Sequence, residues 1–249
     1  MCSLDASVHR SIHVGQNNLM WLLLFLIFAP FSPQIDLYIS GLFYSSGQGF
    51  YDHFFFHALF EYGEVFGIAT GALACAVFVL SLFWQRFKKW RRGAVVMVLT
   101  LVLGAGIIVN LGFKGHWARP RPKQVVEFGG KHAYQPFWLP HIQNKEDPQK
   151  SFPSGHVAMG FYFLSFCFVS KRYHSHLLFY IGLFFTLFLG CGLMVGRVVQ
   201  GGHFVSDVLA AALIMWYVTK FLDFITWVGW EKLVQCLKMR GISQESDVS

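Results

Sequence analysis

The sequence predicts an all-α, polytopic membrane protein with six transmembrane helices and a functional site at helix ends on the outer face. Three observations carry that prediction. The chain is 55% hydrophobic and only 13% charged, where soluble domains carry about a quarter charged residues. Its mean hydropathy is +0.47. Long apolar runs recur along the 249 residues and are separated by short polar clusters. No low-complexity linker interrupts the pattern, so residues 1–249 read as a single domain.

The elements follow in order. A bilayer core needs roughly 20 apolar residues in a helix. The first run, Asn18–Phe31, is short and closed by Pro30 and Pro33. It lacks the basic leader and small-residue cleavage site of a signal peptide, and it is read as a first helix. Tyr62–Trp84 and Gly93–Phe113 are the second and third spans. Phe152–Ser170 and Leu177–Val195 are the fourth and fifth, divided by the polar hinge Lys171–His176. Phe204–Phe224 is the sixth, with Asp207 near its start and Lys220 near its end. Glu61 and Glu64 fall at the expected start of the second span, where acids favour the helix dipole.

Lysine and arginine set the orientation. In a six-span layout both termini share a side with Arg86, Lys88, Lys89, Arg91, Arg92, Lys171 and Arg172, for 11 cations including Arg10, Lys232, Lys238 and Arg240. The other side carries 8, in Lys114–Lys150 and at Arg197. The dense Arg86–Arg92 cluster places the termini in the cytoplasm and the segments 114–152 and 196–203 outside. The net charge of +7 therefore reflects topology and anion binding, and nucleic acid is not an expected partner. The five cysteines form no CxxC pair and no disulfide framework.

Three clusters sit where helices meet the outer face: Lys114 to Arg121-Pro122; Pro153-Ser154-Gly155-His156; and Arg197 to His203 and Asp207. Lys114, Arg121 and Arg197 lack a matching number of nearby acids, a pattern suited to an anion with several oxygens. The Pro153–His156 segment opens a helix, whose free N–H groups favour phosphate. There Gly155 permits close approach and Ser154 caps the helix. His203 and Asp207 are four residues apart on one helix face, so the carboxylate can fix the imidazole tautomer and leave the other nitrogen nucleophilic. His156 can protonate a leaving oxygen and later activate water. Two histidines in separate roles inside a cationic cage describe phosphoryl transfer without a metal or other cofactor. The same i,i+4 pair also suits a metal ion, but three adjacent cations would repel one.

These clusters resemble the signature of the type 2 phosphatidic acid phosphatase (PAP2) family, which runs K-x6-R-P, then P-S-G-H, then S-R-x5-H-x3-D. Every position is matched except that Gly196 stands where the family usually has serine. The resemblance implies an integral membrane phosphoric ester hydrolase with a catalytic core over about residues 93–224. It implies His203 as nucleophile, Asp207 as its orienting group and His156 as general acid. Lys114, Arg121, Ser154, Gly155 and Arg197 would bind the phosphate of a lipid substrate. Arg119 lies two residues early for the pattern and is left out of the residues that touch the phosphate. Within the family, His116-Trp117 and the run Gln200–Asp207 are similar to bacterial lipid A phosphatases, which implies a bacterial inner membrane with the site facing the periplasm.

Undecaprenyl-diphosphate and phosphatidylglycerophosphate phosphatases share the signature, and a lipid phosphotransferase would need the same residues. A haloperoxidase would bind vanadate in the same cage, but six apolar spans argue against it. A phosphate or lipid transporter would use the cations yet leave His203 and Asp207 without a task. In the long 114–152 connection, Tyr134, Phe137 and Trp138 are placed at the headgroup level or beside a lipid entrance.

Overall fold

The computed structural model describes residues 19–114, 116–140 and 149–229. Arg10, Asn18, His141, Lys145, Lys232, Lys238 and Arg240 lie outside the described residues. The described chain is mainly helical, with one two-stranded hairpin. Among the described residues, five helices are long and apolar enough to cross a membrane. These are α1 (Leu19–Gly41), α2 (Phe54–Phe83), α3 (Gln85–Lys114), α6 (His176–Val199) and α7 (Val205–Val228). Between α3 and α6 run two shorter helices, α4 (Gly155–Phe161) and α5 (Phe163–Arg172).

Three boundaries differ from those the sequence suggests. Helix α1 does not stop at its prolines. It tightens into a 3-10 turn at Ala29–Phe31 and resumes at Ser32, because proline is tolerated in the first turn of a helix, where its missing N–H has no partner to lose. The helix thus continues past Asp36, beyond the expected end at Phe31. Helix α2 starts at Phe54, eight residues before Tyr62, with His53 in extended conformation accepting the Phe55 N–H at 3.2 Å. Glu61 and Glu64 therefore lie inside the helix and do not serve its first turn. The Arg86–Arg92 cluster belongs to the opening turns of α3, so the α2–α3 connection is only a break at Trp84.

The expected fourth span appears as α4 and α5 meeting at Tyr162. That residue keeps helical angles (φ −54°, ψ −32°), while its carbonyl accepts the Ser165 N–H at 2.9 Å. This i+3 bond tightens the chain locally without ending the helical course.

Antiparallel strands β1 (Tyr44–Ser45) and β2 (Gly49–Phe50) pair Tyr44 with Phe50 and Ser45 with Gly49. The hairpin packs Tyr44 and Phe50 onto Phe128. The main core lies between α2, α3, α4 and α7, around Val96, Val109, Ala158, Tyr162 and Met215. The outer faces are apolar as well: Phe54, Leu73, Phe83, Leu111, Leu177 and Phe221 are all exposed. A bundle that is hydrophobic inside and outside suits lipid as solvent.

All three motif clusters lie at one end of this bundle. Lys114 ends α3, Gly155 opens α4, Arg197 lies in the last turn of α6 and Asp207 in the first turn of α7. The basic cluster Arg86–Arg92 lies at the opposite end of α2.

Candidate active site

The entry to α4 shows why a glycine stands between Ser154 and His156. Ser154 is buried and caps the helix, its Oγ accepting the Val157 N–H at 3.5 Å. A Cβ on Gly155 would come within 2.8 Å of Asn110 Oδ1 and 3.2 Å of Lys114 Nζ. The bare backbone thus admits the Lys114 ammonium against the N-terminus of α4, where an anion gains from both charge and free N–H groups. Asn110 is held by its own amide, which donates to the Ala105 carbonyl at 2.8 Å.

On the opposite wall, Arg197 lies flat on the backbone of Gly202, in the turn where Gly201 takes a φ of +62°. Its guanidinium carbon sits 4.3 Å from the Phe60 ring centroid. Its Nη1 reaches Gln200 Oε1 at 3.4 Å, while its buried Nε has no hydrogen-bond partner among the described residues. Burial pulls the Arg121 pKa below its ordinary value against the pull of Asp207. Burial, then Arg121 and Arg197, do the same to Lys123. A gathering of desolvated cations with unused donors is the electrostatic counterpart of a multiply charged anion.

His203 is 1% exposed, and its Nδ1 lies 2.6 Å from the Ser151 carbonyl oxygen. A carbonyl only accepts, so Nδ1 carries the proton and Nε2 keeps its lone pair. Asp207 Oδ2 is 3.8 Å from the same Nδ1, too long for a hydrogen bond. The bond that fixes the tautomer therefore goes to Ser151, and Asp207 acts one step back by accepting the Ser151 Oγ–H at 2.6 Å and the Phe204 N–H at 2.9 Å. Burial pushes the His203 pKa down to about 4, against the pull of Asp207 and together with the push of Arg197. The ring is neutral at neutral pH.

Arg119, outside the motif spacing, supports the site from behind. It is fully buried and bonds Asp207 Oδ1 through Nη1, which also donates to Ser206 Oγ at 2.8 Å. Its Nη2 donates to Asp36 Oδ2 at 2.8 Å and to Tyr134 Oη at 3.1 Å, and its Nε to the Gln135 carbonyl at 2.8 Å. Asp36, on α1, accepts the Ser206 N–H at 2.9 Å and so caps α7 from another helix. Tyr134 is committed to this network through a 2.9 Å bond to Asp36. Phe137 is buried and stacks on Phe152 at 5.7 Å. Both side chains are thus engaged inside the protein, and of the three loop aromatics only Trp138 is exposed.

Helix α2 supplies two residues that the motifs do not contain. Phe60 packs against the His156 ring at 4.3 Å between centroids, and one turn on, Glu64 Oε1 lies 3.3 Å from His156 Nε2. The only available signal was their i,i+4 spacing on an apolar helix. Gly196, in place of the usual serine, also has a packing reason: a Cβ there would meet Phe56 Cδ1 at 2.9 Å. Phe50, Tyr51, Asp52, His57, Lys123 and Gln200 extend the cage beyond Arg197 into a cleft of roughly 280 Å³.

The family model described as the PAP2 superfamily matches residues 93–230. The Lipid A 4'-phosphatase of Francisella tularensis subsp. novicida (strain U112) is 33% identical over 211 residues, covering 82% of this chain and 86% of that protein. No solved structure matches the chain. With more than half of the chain under one family model and a relative of this identity along most of its length, the chain belongs to the PAP2 superfamily and is a phosphoric ester hydrolase of the membrane.

Proposed function

We propose that this membrane lipid phosphatase removes a phosphate from a lipid A-type glycolipid through a phosphohistidine intermediate. The observation that carries the mechanism is the pairing of a fixed, neutral His203 with a cage of three mutually repelling cations, Lys114, Arg121 and Arg197. The relative's substrate supports the choice of lipid.

His203 Nε2 attacks phosphorus, and the bond from phosphorus to the lipid oxygen breaks. Lys114, Arg121 and Arg197, with Ser154 and Gly155 at the helix entry, hold the oxygens as charge develops. His156 gives its proton to the leaving oxygen. The neutral His156 then takes a proton from water, the hydroxide displaces His203 from phosphorus, and inorganic phosphate leaves with both histidines restored. Asp207 stabilises the imidazolium through its charge and through its hold on Ser151. No step calls for a metal ion.

The wider reading is a single domain over residues 1–249 with its catalytic core at 93–224. Six spans, counting α4–α5 as one, put both termini in the cytoplasm and the site on the periplasmic face of a bacterial inner membrane. Purified protein in detergent with EDTA should release phosphate from lipid A but not at comparable rate from undecaprenyl diphosphate, phosphatidylglycerophosphate or phosphatidic acid. His203→Ala should abolish release, and a labelled substrate should leave an acid-labile, alkali-stable phosphoprotein in wild type alone. Release that survives His203→Ala would refute the nucleophile.

A further inference from the structure

His156 faces a charge problem that the three motifs do not solve. To act as an acid it must carry a proton, yet the titratable and charged groups around it are Arg197, His203, Lys114 and Arg121. Each of these either repels a positive imidazolium or is neutral. Burial adds to the difficulty, since the side chain is only 21% exposed. The one carboxylate paired with the ring among the described residues is Glu64, at 3.3 Å from Nε2. Glu64 also lies within electrostatic reach of Lys114 and Arg197. The other ring nitrogen, Nδ1, is buried and makes no hydrogen bond.

We propose that Glu64 is a positioning residue for His156: its carboxylate, 3.3 Å from Nε2, orients the ring and balances the positive charge of the imidazolium that gives a proton to the leaving oxygen. Phe60, one turn earlier on α2, fixes the ring plane by packing at 4.3 Å. The proton moves from the His156 imidazolium to the lipid oxygen as the P–O bond breaks, and Glu64 keeps its charge throughout. Each histidine thereby has its own carboxylate, one from the family motif and one from α2, which lies outside the 93–230 match. This inference rests on the reading of His156 as the general acid.

The test compares kcat/KM, which reports the steps through P–O cleavage, on two soluble esters in detergent. Dodecyl phosphate needs a proton on its leaving oxygen and p-nitrophenyl phosphate does not. His156→Ala should lose roughly 100-fold or more on dodecyl phosphate and far less on the nitrophenyl ester, the range of a general acid. Glu64→Gln should show the same selectivity at smaller size, about 10-fold against about 2-fold, because the ring remains but its charge is no longer balanced. Glu64→Asp should recover part of the loss on dodecyl phosphate, and it serves as the comparison if the glutamine variant does not fold. In the double variant with His156→Ala, Glu64→Gln should cost almost nothing further.

Equal loss on both esters would overturn the proposal in favour of a structural role. So would a lower KM with unchanged selectivity, the mark of a carboxylate that only competes with phosphate for the cage. Selectivity in His156→Ala without any in Glu64→Gln would sink this inference alone. Its absence in His156→Ala would sink the acid assignment beneath it.

Discussion

At the scale of single residues, Arg119 shows how a residue outside the motif spacing can still be tied to the site from behind. The Arg-Pro dipeptide occurs twice, and the motif selects Arg121 over Arg119. The unselected one is the more deeply embedded: Arg119 is 0% exposed and bridges Asp36 and Asp207, which are equally buried. Removing one partner of a buried ion pair leaves an uncompensated charge and costs about 3–5 kcal/mol. Arg119→Ala should therefore lower thermal stability and abolish turnover together. Arg119→Lys, which keeps the charge but loses the fork that spans two carboxylates, should fold and still lose activity. A thermal unfolding scan beside phosphate release separates the two. His203 gives a prediction of different kind. Burial pushes its pKa down to about 4, below the ordinary imidazole value of about 6.5, so the proposed nucleophile stays unprotonated through the neutral and mildly acid range. The limb of kcat/KM that belongs to His203 should fall only as pH drops toward about 4. A limb centred at the ordinary imidazole value that survives in the Glu64 variants would assign that titration to His203 instead.

At the scale of elements, the site is a meeting of helix ends, and each end is finished by a residue from elsewhere. Helix α7 begins with Asp207 accepting the Phe204 N–H, and Asp36 of α1 takes the Ser206 N–H. Asp36→Asn keeps the size but weakens a charge-assisted cap and removes the counter-charge of Arg119. The expected result is a large loss of activity from a residue of α1, with the motif residues intact; full activity would show that α1 is only an anchor. The opening of α4 is as sensitive. Gly155→Ala would press a methyl against Asn110 and Lys114, and the ammonium must withdraw. Inorganic phosphate should then inhibit roughly 10-fold more weakly, the equivalent of about 1.4 kcal/mol. The helices and the three motifs were legible in the sequence because long apolar runs and fixed short spacings are local signals. Asp36, Glu64 and Arg119 were not, because their meaning comes from partners 83 to 170 positions away. The ends of α1 and α2 were misjudged for a related reason. Pro30 reads as a stop and Glu61 as a helix start when taken alone, yet the helix continues past the one and begins before the other.

At the scale of the whole molecule, polarity is distributed by depth. Ionisable residues in an apolar bundle are costly unless they face its interior or its ends. Here Asp36, Arg119, His203 and Asp207 are withdrawn from the surface at one end. At the other, Arg172 pairs with Asp223 at 2.7 Å beside the Arg86–Arg92 cluster that opens α3. Between them lie faces of exposed phenylalanine and leucine with few charges. The proposed orientation puts the dense cationic end in the cytoplasm, as the distribution of lysine and arginine favours. That orientation is open to direct test with single cysteines in a background lacking the native ones. Lys131→Cys, on the segment after α3, should react with a membrane-impermeant maleimide in intact cells. Lys88→Cys should react only after the membrane is permeabilised. Since the chain passes from one end of α3 to the other between these positions, labelling of both from outside would contradict the span assignment itself. Labelling of Lys88→Cys alone would keep the fold and turn the phosphate cage toward the cytoplasm, where a lipid presented from the periplasmic leaflet could not reach it.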